Sequence, residues 1–191
     1  MANNCYNWAC IEGTKESLDL LQTKIKEATS ETRHLWYQTF YHVIGQPLPN
    51  PETNTYDDFG TKWFDAEWER DSDTLATLSG DSAWSPPCEF FLKLSEVYGL
   101  TIESDYEEPG CDFAGYYNCT NGKVTRDEQY SYNYFKLIQD KDCFMHDLVE
   151  HIACGTYEDY KDFAKHNQDV VAELSPKDIE EIKEQFNKIT K

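Results

Sequence analysis

Carboxylates at every second position are the first chemical pattern in this chain. Over residues 63–73, WFDAEWERDSD, the acids Asp65, Glu67, Glu69, Asp71 and Asp73 alternate, and Phe64, Ala66 and Trp68 stand between the first of them. A period of two belongs to a strand, whose successive side chains point to opposite faces. The pattern predicts one apolar face and one face of carboxylates, which Trp63 shares. A second stretch repeats it: Glu103, Asp105 and Glu107 alternate with Ile102, Ser104 and Tyr106. Same-face residues on a strand lie about 6.6–6.8 Å apart. Phosphates rise about 3.4 Å each along one DNA strand and are further apart through space, so such a row imitates a run of phosphates. Three chemistries follow. The face is a solvated surface that blocks edge-to-edge aggregation, a nucleic-acid mimic that enters a basic cleft, or an oxygen-rich cation site. No DxDxDG loop supports the last. The candidate partner-binding residues are Trp63, Asp65, Glu67, Glu69, Asp71, Asp73, Glu103, Asp105 and Glu107.

Other reactive residues have plainer readings. In CFMHDLVEHIAC, Cys143, His146, His151 and Cys154 are zinc-type ligands. On a helix, Cys143 and Cys154 would be about 16 Å apart, against bonds of about 2.0–2.3 Å. They make two half-sites at best and otherwise flank a buried helix face. Tyr116, Tyr117, Tyr130, Tyr132 and Tyr134 could stack bases, but their surroundings are acidic, and packing accounts for them better. PGCDFAG, residues 109–115, lacks the spacing of a phosphate loop and a following helix, so it reads as a turn. Cys88 falls just inside a predicted helix N-terminus, where a thiol pKa can be depressed, yet no base is identified for it. Nucleophile elbows, HExxH and dinucleotide fingerprints are absent. The sequence therefore points to no catalytic residue, no metal site and no cofactor.

Charge narrows the partners. The 191 residues carry 17 basic and 36 acidic groups, a net −19. Residues 61–140 hold 6 basic and 16 acidic groups, so the acidic centre is in the middle. Direct binding of nucleic acid or an anionic membrane is disfavoured, because phosphates would be repelled. A basic protein fits. No run approaches the ~20 apolar residues of a membrane span, and MANNCYNWACIEG lacks the basic start and apolar core of a secretion signal. A cytoplasmic protein of a bacterial host cell is expected. The cysteine count of 7 is odd, which agrees with free thiols in a reducing compartment.

The elements that must position these residues read in order. Residues 3–12 form a strand; Thr14 caps a helix carrying Leu18, Leu21, Ile25 and Ala28. Residues 29–60 read as an insertion or irregular crossover. Strands at 62–70 and 74–83 pair across Asp71–Asp73. Ser85 is the expected cap and Pro86 the first turn of a helix with Phe90, Phe91, Leu94 and Val97, stopped by Gly99. LTIESDYEE and CDFAGYYNCT are strands, and Asn121-Gly122 turns the chain into a last one, KVTRDEQYSYNYF. Helical patterns follow from Asp142: Phe144, Met145, Leu148, Val149 and Ile152; then Tyr157, Tyr160, Phe163 and Ala164; then Ile179, Ile182, Phe186 and Ile189 after Ser175-Pro176. The fold class is α+β: a ferredoxin-like, split β-α-β antiparallel sheet with helices on one face over residues 1–138, and a helical extension over 139–191.

Several blocks carry a family resemblance. MANNCYNWACIEG, GTKWFDAEW and SAWSPPCEFFLKLSEVYGLTIESDYEEPGCDFAGYYNCTNGKV, in that order, resemble the YubB-type ferredoxin-like domain of plasmid- and phage-encoded proteins. The likeness covers residues 1–13 and 60–124; WSPP and YxEPGxxFAGYY are its most specific pieces, and residues 142–191 fall outside it. It implies a fold and a mobile-element setting, and no activity or catalytic residue. "Ferredoxin-like" is here a topology, since no C-x₂-C spacing suggests an iron–sulfur cluster. The expected function is non-enzymatic: a small acidic phage or mobile-element protein that binds and inhibits a basic host protein, such as a nucleic-acid-binding CRISPR effector. Two other classes stay open. One is a metal-dependent hydrolase of phosphate esters built on the clustered carboxylates. The other is a small-ligand module held between the sheet and the C-terminal helices.

Overall fold

The computed structural model describes residues 3–28, 34–46 and 59–189. Of the expected insertion, residues 29–33 and 47–58 lie outside the described residues. The chain divides into two compact units, Met1–Gln129 and Tyr130–Lys191.

The first unit is a sheet with helices. Its elements are β1 (Asn4–Glu12), α1 (Lys15–Ala28), β2 (His34–Trp36), α2 (Tyr37–Val43), β3 (Phe64–Arg70), β4 (Leu75–Ala83), α3 (Cys88–Tyr98), β5 (Thr101–Glu108), β6 (Phe113–Thr120) and β7 (Lys123–Tyr130). The strands lie in the order β2-β3-β4-β1-β5-β6-β7. The inner four, β3-β4-β1-β5, pair antiparallel with their neighbours. Together with α1 and α3 they make the ferredoxin-like plan. β2 extends one edge, and the β6–β7 hairpin extends the other.

Alternation sets the two faces. Along β1, Cys5, Asn7, Ala9 and Ile11 are buried, and Asn4, Tyr6, Trp8 and Glu12 are exposed. The buried residues meet Leu18, Leu21 and Ile25 of α1 and Phe90, Phe91 and Leu94 of α3 in one core, with Phe64, Leu78, Ile102 and Tyr117. Phe40 anchors an aromatic centre, with ring centroids 4.4 Å from Phe90 and 5.1 Å from Phe64. Buried Asn7 stays satisfied: its amide donates to the Cys5 carbonyl and to Ser82 Oγ. One side of the sheet is thus helix-covered.

Two local expectations are corrected. Ser85 does not cap α3; its hydroxyl donates to the Gly60 carbonyl, and the helix begins at Cys88 without a side-chain cap. The last strand stops at Tyr130. Ser131 caps a helix instead, accepting from the Tyr134 N–H, so the Tyr130–Tyr132–Tyr134 alternation is no strand. The units divide at this point, ahead of residue 138.

The second unit contains α4 (Tyr132–Gln139), α5 (Lys141–Ala153), α6 (Tyr160–His166), α7 (Gln168–Glu173) and α8 (Pro176–Ile189). Phe144, Leu148, Ile152, Phe163, Val170, Ile182 and Phe186 form its own core. Side chains cap the starts of α5 and α6, where Asp140 accepts from Cys143 N–H and Asp159 from Asp162 N–H, while α7 starts without a side-chain cap. Buried Asn167 donates to the Phe163 carbonyl and accepts from Asn133. No described helix is long and apolar enough to cross a membrane.

Candidate protein-interaction face

Since α1 and α3 pack on one side of the sheet, alternation sends the other residues of each strand to the opposite side. On β3 these are Asp65, Glu67 and Glu69; on β5 they are Glu103, Asp105 and Glu107. Glu67, Glu69 and Glu103 are exposed, and the other three half-buried. Both acidic rows expected from the sequence therefore stand on the same open face. They are not adjacent. β4 and β1 lie between them, which puts the columns about 14 Å apart at about 4.7–4.9 Å per strand.

The strip between the columns holds what sequence reasoning missed. Tyr6 and Trp8 project from β1 and remain 47% and 41% exposed. Tyr6 is registered between Asp81 and Glu107, and Trp8 between Ser79 and Asp105. The signal was present: NNCYNWACIE alternates as cleanly as the acidic strands, but its outer face carries aromatics where the others carry charge. Asp81 adds another acid, opposite Asp65 in the β3–β4 register. Beside this strip lies a hollow of about 250 Å³ walled by Tyr6, Asp65, Glu67, Ser79 and Asp81. Its floor is backbone at Ala66 and Gly80. Gly80 is required there, because a Cβ would sit 2.0 Å from the Asp65 carbonyl oxygen. Further out, the Arg126 guanidinium stacks 3.7 Å over the Tyr116 ring and pairs with Glu128.

Asp71 and Asp73 do not extend the acidic row. β3 ends at Arg70, and both residues lie in the β3–β4 turn. The Asp71 carboxylate accepts from Thr77 Oγ1 at 2.8 Å. Asp73 pairs with Lys15 at 3.1 Å, near the start of α1. The turn closes on its own hydrogen bonds: Ser72 Oγ accepts from the N–H groups of Thr74 and Leu75. Trp63 stands just before β3, half-buried, and its carbonyl accepts from Ala83 N–H.

The remaining sequence candidates settle into structural roles. Cys143, His146, His151 and Cys154 are exposed and flank the buried Phe144, Leu148 and Ile152 of α5. Among the described residues, no group of three or more His, Cys, Asp or Glu is placed to hold a metal ion. The Cys88 thiol is pushed up, first by burial and then by Asp127, which reverses the depression expected at a helix start. PGCDFAG opens with a 3₁₀ turn at Pro109–Cys111, where the buried Glu108 carboxylate accepts from Cys111 N–H. Tyr117 is a core residue, while Tyr116 lies on the open face with Arg126.

This architecture can be set beside known proteins. Residues 55–146 match the family model of the ferredoxin-like domain in Api92-like protein. The matched ferredoxin-like segment contains both carboxylate strands and runs into α5; β1, with Tyr6 and Trp8, precedes it. Among solved structures, protein api92 from Yersinia pseudotuberculosis is similar, with 10% sequence identity. The similarity covers 69% of this chain and 98% of that one, at a TM-score of 0.45. No curated protein matches this chain.

Proposed function

We propose that the open sheet face captures a basic protein, and that the chain works by binding rather than by catalysis. The observation that carries this reading is the pair of exposed aromatics, Tyr6 and Trp8, set between two columns of carboxylates. Exposed aromatics supply the desolvated anchor of a protein contact, and a charged surround supplies steering and register. The net −19 of the chain favours the same class of partner. In its specific form, the protein comes from a phage or another mobile element and blocks a nucleic-acid-binding host effector, such as a CRISPR nuclease. Two things support that form. The quoted sequence blocks resemble the YubB-type domain. The columns, about 14 Å apart, are comparable with the major groove of B-DNA, about 12 Å wide. The hydrolase reading is less favoured, because the carboxylates of β3 and β5 stand in separate rows and, among the described residues, no group of three is placed to hold a metal ion.

The test uses the full chain as bait in bacterial lysate. The captured proteins should be basic nucleic-acid binders, released by added duplex DNA. A variant with Glu67→Lys, Glu69→Lys, Glu103→Lys and Asp105→Lys should lose them while keeping its circular dichroism spectrum. Undiminished capture by that variant would falsify the proposal.

A further inference from the structure

We infer that the partner segment seated on this face is an amphipathic helix, lying along β1 with an apolar stripe on Tyr6 and Trp8 and basic residues on both flanks. This rests on the reading of the open face as a docking surface for a basic protein, and it names the element that docks. Three features point to it.

The first is width. A helix with its side chains is about 10–12 Å across, and the carboxylate columns are about 14 Å apart. A helix centred over β1 therefore fits between β3 and β5. The second is the ridge itself. Tyr6 and Trp8 are same-face neighbours about 6.7 Å apart, close to the rise of one helical turn, about 5.4 Å. Apolar residues one turn apart can pack against both rings. Arg or Lys side chains beside that stripe then extend outward to Glu67 and Glu69 on one side and to Glu103 and Asp105 on the other. The third feature is the backbone. A sheet face offers side chains and no ladder of N–H and C=O groups. An extended segment laid on it would leave its own backbone polar groups without partners, whereas a helix satisfies them internally. A helix is also the layer that sheets ordinarily bury their faces against.

Charge fixes the sign of the occupant. The face carries Asp65, Glu67, Glu69, Asp81, Glu103, Asp105 and Glu107 against Arg126 over Tyr116, so an acidic helix is repelled and a doubly basic one is complementary on both flanks.

The experiment measures binding of a fluorescent 18-residue peptide to the full chain at 0.15 M salt. The peptide has leucines along one helical stripe and arginines on both flanks. Two controls have the same net charge: a scrambled isomer, and a version with proline at its centre. The ordered peptide should bind at least tenfold tighter than either control. Tyr6→Ala with Trp8→Ala should erase that advantage; Trp8→Gln alone, a milder change, should reduce it. Glu67→Lys with Glu103→Lys should weaken all three peptides. Controls within twofold of the ordered peptide, or no binding by any of them, overturn the inference. Charge-dependent capture from lysate together with either result removes the helix and leaves the docking face standing. Capture and peptide binding that both ignore the charge reversals remove the two together.

Discussion

Asp178 is the residue whose ionisation is most clearly tied to stability. It lies in the first turn of α8, where it accepts from Ser175 N–H and Oγ, while Ser175 Oγ accepts from Asp178 N–H in return. Lys141 and then Ser175 hold its carboxyl down, to about 2 from an ordinary 3.8. A depressed carboxyl stabilises the fold above its unfolded pKa and loses that contribution as pH falls through the folded value. Asp178→Asn should therefore cost about 1 kcal/mol at pH 7. The difference from the parent should shrink between about pH 4 and pH 2, as urea titrations at several pH values will show. Cys88 makes the opposite kind of prediction. Its raised thiol should resist iodoacetamide at pH 8 in the native protein, while the exposed Cys111, Cys143 and Cys154 react. Mass spectrometry of the alkylated protein decides it, and rapid labelling of Cys88 would contradict the raised thiol of this half-buried residue. That burial was not legible in the sequence. The helix start at Cys88 was visible, but the nearness of Asp127, far along the chain on β7, is a product of the sheet.

At the scale of elements, period-two patterns carried much of what could be foreseen. β1, β3 and β5 alternate because one face packs on helices, and their order with α1 and α3 makes the ferredoxin-like plan readable. The end of β3 at Arg70 and the turn over Asp71–Asp73 were readable, and the end of the last strand was not. The acids continue their alternation through Asp71 and Asp73, since a solvated turn tolerates charge as well as a solvated strand face does. The hydrogen bonds of Ser72 and Thr77, and not the charge pattern, close the turn. The tyrosines of residues 130–134 misled for a related reason: a cap at Ser131 overrode their alternation. Gly80 gives the strongest element-level prediction. A methyl group there would meet the Asp65 carbonyl and the Ala66 Cα at 2.6 Å, and neither belongs to a movable side chain. Gly80→Ala should destabilise the sheet by about 2 kcal/mol or more, as overpacking against backbone does. A melting temperature unchanged from the parent would show that β3 can step aside.

For the whole molecule, two separate cores predict two separable folding units. Residues 130–191 expressed alone should keep helical circular dichroism and a cooperative, low-temperature melt, as expected of a short domain with a small buried fraction. A spectrum of random coil would mean that the helices need the sheet. Capture of a basic partner should also weaken steeply with salt, because the Debye length falls from about 10 Å at 0.1 M to about 3 Å at 1 M. Salt acts differently on the unaccompanied chain. Asp65 and Asp81 are registered directly across from each other, and like charges so placed are destabilising. A cationic partner of the kind proposed would relieve that repulsion and, by binding only the folded form, would raise stability by mass action. The lifetime of the protein in a cell would then be set by its company: copies in excess of the partner would be the ones proteases clear first. Pulse-chase measurements should show a longer half-life with the partner co-expressed, and Asp81→Asn should lengthen it in the partner's absence. Equal half-lives in all three cases would show that the paired acids exact no toll on turnover.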